Sequence, residues 1–236
     1  MSPISIHSQP DIKNAWHTIQ RGNQQCFVAS HCFLAWHSIC GWNTIQFIQN
    51  PGQAHWEVLK RVISYLGSTK DYWLTFGGRT KTLVESYCDA WVTQKDRHSI
   101  LGYSFHFGCG AVSWSSKKQN IIALSSTEAE YIVQMHTAKE AIWLQSFIKE
   151  VRRSEDGVLT IKCNDQGAIA LVKDNKFQLR TKHIDLRFHF IREAVEDSKI
   201  AVSYIPTDKI VSNIFTKALA RPKFQDFVGK LWLAKL

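Results

Sequence analysis

The sequence has few cysteines, and none of them stands in the close pairs that build a disulfide or zinc scaffold. Only six occur in 236 residues, and no CxxC pair is present. So low a density excludes a disulfide-stapled fold. One cluster of metal-ligating residue types matches no closed zinc module; it consists of His31, Cys32, His37 and Cys40. The cysteines therefore predict reduced thiols in an intracellular protein, either cytoplasmic or nuclear.

The sequence also lacks charge over one long stretch, because residues 22–56 contain no Asp, Glu, Lys or Arg. Polar residues such as Gln24, His31 and Asn43 interrupt the apolar ones there, so no membrane-spanning helix is predicted. The first residues show neither the basic segment nor the uninterrupted apolar segment of a secretory signal peptide. We therefore expect neither secretion nor a membrane partner.

Acidic residues are outnumbered, with 20 Asp and Glu against 29 Lys and Arg, which gives a formal net charge of +9. This excess fits a polyanionic partner, although solubility alone would also account for it. Hydrophobic residues make up 44% of the chain, which is enough for a packed core and argues against wholesale disorder.

The pattern of apolar residues changes near residue 80. Before it, residues 54–66 predict a helix with Leu59 and Ile63 on its apolar face, and residues 72–76 predict a strand. After it come strands at 83–90, 101–107, 111–115 with 121–124, 158–163 and 200–205, and helices at 126–153, 166–173, 181–198, 211–220 and 223–236. A meander of three strands that leads into crossover units predicts a mixed α/β sheet with helices on its faces.

Three acids fall at the ends of these elements. Asp89 lies at the end of the first strand of the second region, Glu130 in the first turn of its long helix, and Asp165 after its fourth strand. Such positions allow the three carboxylates to converge on one edge of the sheet. Two Mg²⁺ ions about 4 Å apart require several carboxylates around them. A single acid is more often a helix-dipole partner or a loop residue, but this combination favours a site for phosphoryl chemistry.

Seven short motifs follow one another in the second region. They are Tyr-Cys-Asp-Ala at 87–90, Ala-Val-Ser-Trp-Ser-Ser-Lys-Lys-Gln at 111–119, Ala-Leu-Ser-Ser-Thr-Glu-Ala-Glu-Tyr-Ile at 123–132, Gln-Gly-Ala-Ile-Ala-Leu at 166–171, Arg-Thr-Lys-His-Ile-Asp at 180–185, His-Phe-Ile-Arg-Glu at 189–193 and Ile-Phe-Thr-Lys-Ala-Leu at 214–219. In this order they resemble the ribonuclease H domain of copia-type LTR retrotransposon polyproteins. Residues 50–78 resemble the segment that joins the family's reverse transcriptase to that domain.

The resemblance implies a ribonuclease H-like fold over residues 81–236, a five-stranded mixed sheet flanked by helices. Residues 1–80 would then be an N-terminal segment that carries a remnant of the reverse transcriptase connection. The implied activity is hydrolysis of the RNA strand of an RNA–DNA hybrid. Two Mg²⁺ or Mn²⁺ ions held by four acids would carry it out. The implied partners are the hybrid and the reverse transcriptase domain.

Carried over by position, the family's four acids fall on two acids and two amides of this chain. The first is Asp89 and the second is Glu130. The third falls on Asn164, with Asp165 next to it, and the fourth falls on Asn213. We take all five as candidate catalytic residues and Asp89, Glu130 and Asp165 as candidate metal ligands. In a regular strand Asp165 points away from the face of Asn164, so it could replace it only if the strand end twists or slips.

The two amides matter because an amide oxygen can bind a metal ion but brings no negative charge. The sequence therefore predicts a hybrid ribonuclease that is catalytically impaired in this copy. The alternatives are a non-catalytic module of the polyprotein that binds nucleic acid or acts as a scaffold, and a decayed reading frame with no role.

Basic residues near the motifs are candidates for contacts to backbone phosphates, which need cations but no base reading. They are Lys117, Lys118, Arg180 and Lys182, with Lys139 and Arg187 as further possibilities. Each could equally be an ordinary solvated side chain. Trp114 and Trp143 could stack on a base or sugar, but tryptophan in a strand or helix is more often part of the core.

Overall fold

The structure is a computed structural model that describes residues 52–74, 84–92, 98–107, 110–152, 157–173 and 185–235. The chain forms two compact units, residues 1–72 and 73–236. In the first unit, helix α1 (Gln53–Thr69) begins after Gly52 and buries Leu59 and Val62. Ile63, predicted to share the buried face, is exposed. Strand β1 (Tyr72–Leu74) follows. The expectations for residues 1–41, including the His31–Cys40 cluster, lie outside the described residues.

The second unit contains one five-stranded sheet. Its strands are β2 (Val84–Val92), β3 (His98–Phe107), β4 (Gly110–Ile122), β5 (Leu159–Cys163) and β6 (Ile200–Tyr204), in the order β4-β3-β2-β5-β6. The pairs β2–β3 and β3–β4 are antiparallel, and β5 is parallel to both β2 and β6. Antiparallel hairpins need only short connections, whereas each parallel pair needs a helical crossover.

Three helices supply those crossovers. They are α2 (Ser126–Arg152), α3 (Gln166–Lys173) and α4 (Asp185–Glu196). Helix α2 packs on β2 and β3 and also contacts α3 and α4. The core between them includes the fully buried Phe105, Tyr131, Ile161 and Ile191. This arrangement confirms the predicted fold class, a ribonuclease H-like five-stranded mixed sheet flanked by helices. No helix in the described ranges is long and apolar enough to cross a membrane.

Two predictions for the C-terminal part are wrong. Residues 211–220 form no α-helix but a 3-10 turn, Val211–Phe215, preceded by another at Thr207–Lys209. Every residue of the turn Val211–Phe215 is buried, so its surroundings decide its backbone and the apolar spacing does not report a helix face. Residues 223–236 form helix α5 (Arg221–Lys230) and strand β7 (Leu233–Lys235). Between them, Trp232 adopts a φ of 58°, which ends the helical path.

Gly102 lies where β3 meets the buried turn, and its missing side chain makes that contact possible. A Cβ at this position would lie 2.6 Å from Cγ2 of Thr216 and 3.1 Å from the carbonyl oxygen of Ser212. We expect Gly102→Ala to lower the free energy of unfolding by about 1–3 kcal/mol, because the turn must move to admit the methyl group. Urea unfolding followed by circular dichroism measures this loss.

Gly229 in α5 is the matched control, since a Cβ there would meet nothing within 4 Å. Gly229→Ala should leave stability unchanged or raise it slightly, because alanine favours a helix over glycine. Equal effects of the two substitutions would contradict the close approach of β3 to the turn.

Candidate active site

Two of the predicted acids, Asp89 and Glu130, meet beside the central strand of the sheet. Asp89 on β2 is 1% exposed, and its Oδ2 accepts a hydrogen bond from the hydroxyl of Thr216. Glu130, in the first turn of α2, is 6% exposed. Its Oε1 accepts a hydrogen bond of 3.0 Å from the backbone N–H of Ala90. Helix α2 is therefore tied to β2 at the residue that follows Asp89.

Burial and mutual repulsion shift the pKa of both carboxyl groups. Burial, with the charge of Asp89 and others added, raises the pKa of Glu130 to about 9. Burial also raises the pKa of Asp89, but Lys217, Thr216 and Asn164 all favour its charged form. In the absence of a metal ion the pair therefore holds a proton at neutral pH, carried by Glu130, while Asp89 is the better stabilised anion.

Asn164 and Asp165 take different places after β5. The Asn164 amide donates to the hydroxyl oxygen of Thr207 at 3.2 Å and helps to hold down the pKa of Asp89. The Asp165 carboxylate instead caps the start of α3, accepting from the backbone N–H of Ala168 at 2.7 Å and the hydroxyl of Thr127 at 3.3 Å. The strand end thus keeps its alternation, and the geometry places Asn164 with Asp89 and uses Asp165 as a helix cap.

Asn213 reaches the same region from the buried 3-10 turn. It is 3% exposed, and its amide donates to the carbonyl oxygen of Thr207 at 2.7 Å. Thr207 therefore holds both amides, Asn164 through its hydroxyl and Asn213 through its carbonyl. The structure brings together all four positions that the family resemblance assigned to acids, two as carboxylates and two as amides.

The donor atoms of this group suit a hard divalent cation in kind but not in charge. Glu130 Oε2, Asn164 Oδ1 and Asn213 Oδ1 are buried and accept no hydrogen bond. Carboxylate and amide oxygens are ligands of Mg²⁺, and a cation would satisfy such unpartnered acceptors. The two carboxylates bring at most two negative charges, against four positive charges on two ions. Within the described ranges no three His, Cys, Asp or Glu residues are grouped closely enough to hold a metal ion, and Asp89, Glu130 and Asp165 form no such group.

Comparison with known proteins decides the family. The chain is 41% identical over 182 residues to the "Retrovirus-related Pol polyprotein from transposon TNT 1-94" of Nicotiana tabacum, which covers 76% of this chain and 14% of that protein. It is 35% identical over 193 residues to the transposon RE2 polyprotein of Arabidopsis thaliana, which covers 81% of this chain and 13% of that protein. The chain belongs to the retrovirus-related Pol polyproteins of transposons. It spans only that small part of the length of these Pol relatives.

Two other comparisons add little to the Pol assignment. No family model matches the chain. A solved structure of LC11-RNase H1 in complex with an RNA/DNA hybrid is 14% identical and covers 56% of this chain and 93% of that one, with a TM-score of 0.44. A likeness at that level carries no argument about this chain, whose fold rests on its own strand order.

The remaining predicted residues of this Pol chain lie in several places. Lys117, exposed, and Lys118, half-buried, are on β4 at one edge of the sheet. Arg180, Lys182 and the side chain of Arg187 lie outside the described residues, whereas Lys139 lies over the ring of Phe190 at 5.7 Å. The prediction that Trp143 is a core residue is wrong: it is more than half exposed and stacks on Phe147, because it lies on the outer face of α2. Trp114 is half-buried.

Sequence reasoning missed three site residues of this Pol chain: Thr207, Thr216 and Lys217. Thr216 and Lys217 belong to the motif Ile-Phe-Thr-Lys-Ala-Leu at 214–219, so the signal that could have found them was present. Nothing in the sequence marks Thr207, because it acts through one hydroxyl and one carbonyl that the turn at Thr207–Lys209 positions.

Proposed function

We propose that this chain is the ribonuclease H domain of a copia-type Pol polyprotein, and that its hydrolysis of RNA–DNA hybrids is impaired in this copy. The observation that supports this is the convergence of two carboxylates and two amides on one buried site with three unpartnered acceptor oxygens. The members are Asp89, Glu130, Asn164 and Asn213. The residues before the domain would be the end of the reverse transcriptase region, and reverse transcriptase would be its partner within the polyprotein.

The four residues would contribute unequally to binding Mg²⁺ or Mn²⁺. Such ions, when bound, would supply an activated water and stabilise the leaving oxygen of a phosphodiester. Asp89 can offer a charged carboxylate as it stands, whereas Glu130 must first release its proton. Asn164 and Asn213 offer neutral oxygens that add no charge. The deficit of charge is the reason for the proposed impairment.

Grip on the substrate does not depend on those acids. We propose that Lys117 and Lys118 on β4, together with Arg180 and Lys182, contact backbone phosphates of the hybrid. Binding of this kind neutralises phosphates and weakens as salt rises. A cytoplasmic or nuclear setting fits this partner and the free thiols of Cys88 and Cys163.

The test uses a labelled RNA–DNA hybrid and the purified natural chain with Mg²⁺ or Mn²⁺. We expect salt-dependent binding by fluorescence anisotropy, and cleavage no faster than that of an Asp89→Asn control. Rapid cleavage by the natural chain that Asp89→Asn abolishes would show that the site is active and the impairment wrong. Absence of hybrid binding at low salt would count against the domain assignment itself.

A second candidate function is a non-catalytic module of the polyprotein that binds nucleic acid or serves as a scaffold. The observation that favours it is the preserved core around a site that lacks two of its acids. Such a module would bind the hybrid without cutting it even after carboxylates are restored, which separates it from an impaired nuclease.

A further inference from the structure

Lys217 projects its ammonium group into the candidate site. Its Nζ lies 3.5 Å from Oδ2 of Asp89, and its side chain is only 19% exposed. The ammonium group also lies 5.1 Å from the ring centre of Trp91. Its backbone N–H donates to the carbonyl oxygen of Asn213 at 3.2 Å. Turn, carboxylate and aromatic ring thus hold Lys217 from three sides.

The charge of this ammonium group falls where a bound metal ion would need a ligand. A buried carboxylate is costly unless a cation or hydrogen bonds compensate it. Lys217 and Thr216 both approach Oδ2 of Asp89, whereas the amide oxygens of Asn164 and Asn213 accept nothing. The strongest anionic ligand of the site is therefore already compensated, and the ligands that remain open carry no charge.

We propose that Lys217 is the internal counter-ion of this site and competes with a divalent cation for Asp89. This inference rests on the proposed function, since it concerns the same metal ligands. Lys217 is a positioning residue here: it acts on Asp89 and takes no part in the reaction itself. A divalent ion that binds Asp89 must first displace the ammonium group, so Lys217 sets the metal affinity of the chain.

Titration of the purified chain with MnCl₂ in a calorimeter tests the proposal without any activity measurement. We expect Lys217→Met to bind Mn²⁺ about tenfold more tightly than the natural chain, because Coulomb competition at a buried carboxylate is strong. Lys217→Arg, which keeps the charge, should bind like the natural chain. If the Met variant does not fold, Lys217→Gln keeps a hydrogen-bond donor for Asp89 and should show the same gain.

Lys230→Met is the matched control, since Lys230 also lies over an aromatic ring, that of Phe227 at 5.2 Å, and pairs with an acid, Asp226 at 2.8 Å. It removes the same charge away from the site and should leave Mn²⁺ affinity unchanged. Equal or weaker binding by the Lys217 variants, an equal gain in Lys230→Met, or absence of binding in all variants would overturn the proposal.

The failure of this inference is distinguishable from failure of the proposed function. Hybrid cleavage by a variant with both amides restored to carboxylates tests the proposed function separately. If that variant cuts while Lys217→Met gains no affinity, only the counter-ion role is wrong. If that variant neither cuts nor binds Mn²⁺, the proposed metal site is wrong, and the counter-ion role falls with it.

Discussion

Asn164→Asp combined with Asn213→Asp should raise Mg²⁺-dependent cleavage of the RNA strand of a hybrid at least about 100-fold over the natural chain. That factor corresponds to about 2.7 kcal/mol of transition-state stabilisation. Each substitution exchanges an amide for a carboxylate of nearly the same shape at a position beside Asp89 or its turn. With Asp89 and Glu130, four carboxylates would then offset the charge of two divalent ions.

Three further variants make this result specific to the site. Each single substitution should gain less than the pair, because one added carboxylate leaves the charge still short. The pair combined with Asp89→Asn should lose the gain. Asp165→Asn in the same background should keep it, because the Asp165 carboxylate is engaged by Ala168 and Thr127 at the start of α3. Loss of cleavage on that change would instead make Asp165 a metal ligand.

The double variant should also show its added charge without any substrate. In EDTA it should be less stable than the natural chain, because Asn213→Asp replaces a donor to the Thr207 carbonyl oxygen, 2.7 Å away, with an acceptor. Mg²⁺ should reverse that loss, since a ligand that binds only the folded chain stabilises it. Thermal unfolding with and without Mg²⁺ measures both effects. A double variant that folds, binds the hybrid and still does not cut would favour the scaffold function.

The topology and the location of the site could be predicted because they depend on local patterns. Alternation along the strands and apolar stripes along the helices are properties of neighbouring residues. Asp89, Glu130 and Asn164 each stand at the end or beginning of such an element. Their convergence then follows from the parallel pairing of β2 with β5 and the packing of α2 on β2.

The parts that could not be predicted depend on contacts between distant segments. The turn Val211–Phe215 has a helix-like spacing of apolar residues, but it is buried on every side and Gly102 of β3 packs against it. The role of Asp165 as a cap becomes clear only when the first residue of α3 is known. Lys217 is one lysine among many in sequence, and only its position 3.5 Å from Asp89 sets it apart.

Glu130→Gln should stabilise the metal-free chain, and the gain should increase with pH. Folding raises the pKa of this group from 4.5 to about 9, first through burial and then through the charge of Asp89. Between those values the folded chain holds a proton that the unfolded chain has released. The stability that this group contributes is therefore complete below pH 4.5 and is lost as the pH rises towards 9. Glutamine keeps an acceptor for the Ala90 N–H but has no proton to lose.

The expected size follows from one proton over the window. Each pH unit costs the natural chain about 1.4 kcal/mol relative to the glutamine variant. From pH 7 to pH 9 the difference should grow by about 2 kcal/mol, or about 4–8 °C in Tm for a domain of this size. Thermal unfolding in EDTA across this range measures it. The range also avoids the titration of His106, whose pKa burial lowers to about 4.

Glu128→Gln, two residues earlier in the same turn of α2, is the control for loss of one carboxylate. Its Oε2 accepts from the backbone N–H of Leu124 at 2.7 Å, away from Asp89, so its effect should not grow with pH in this way. A difference between Glu130→Gln and the natural chain that stays constant from pH 7 to pH 9 would mean that Glu130 is already ionised in the folded state. Two adjacent buried carboxylates could both be charged only with more positive charge nearby than Lys217 supplies. The growing difference is therefore the direct sign that this site, without metal ions, keeps one acid protonated.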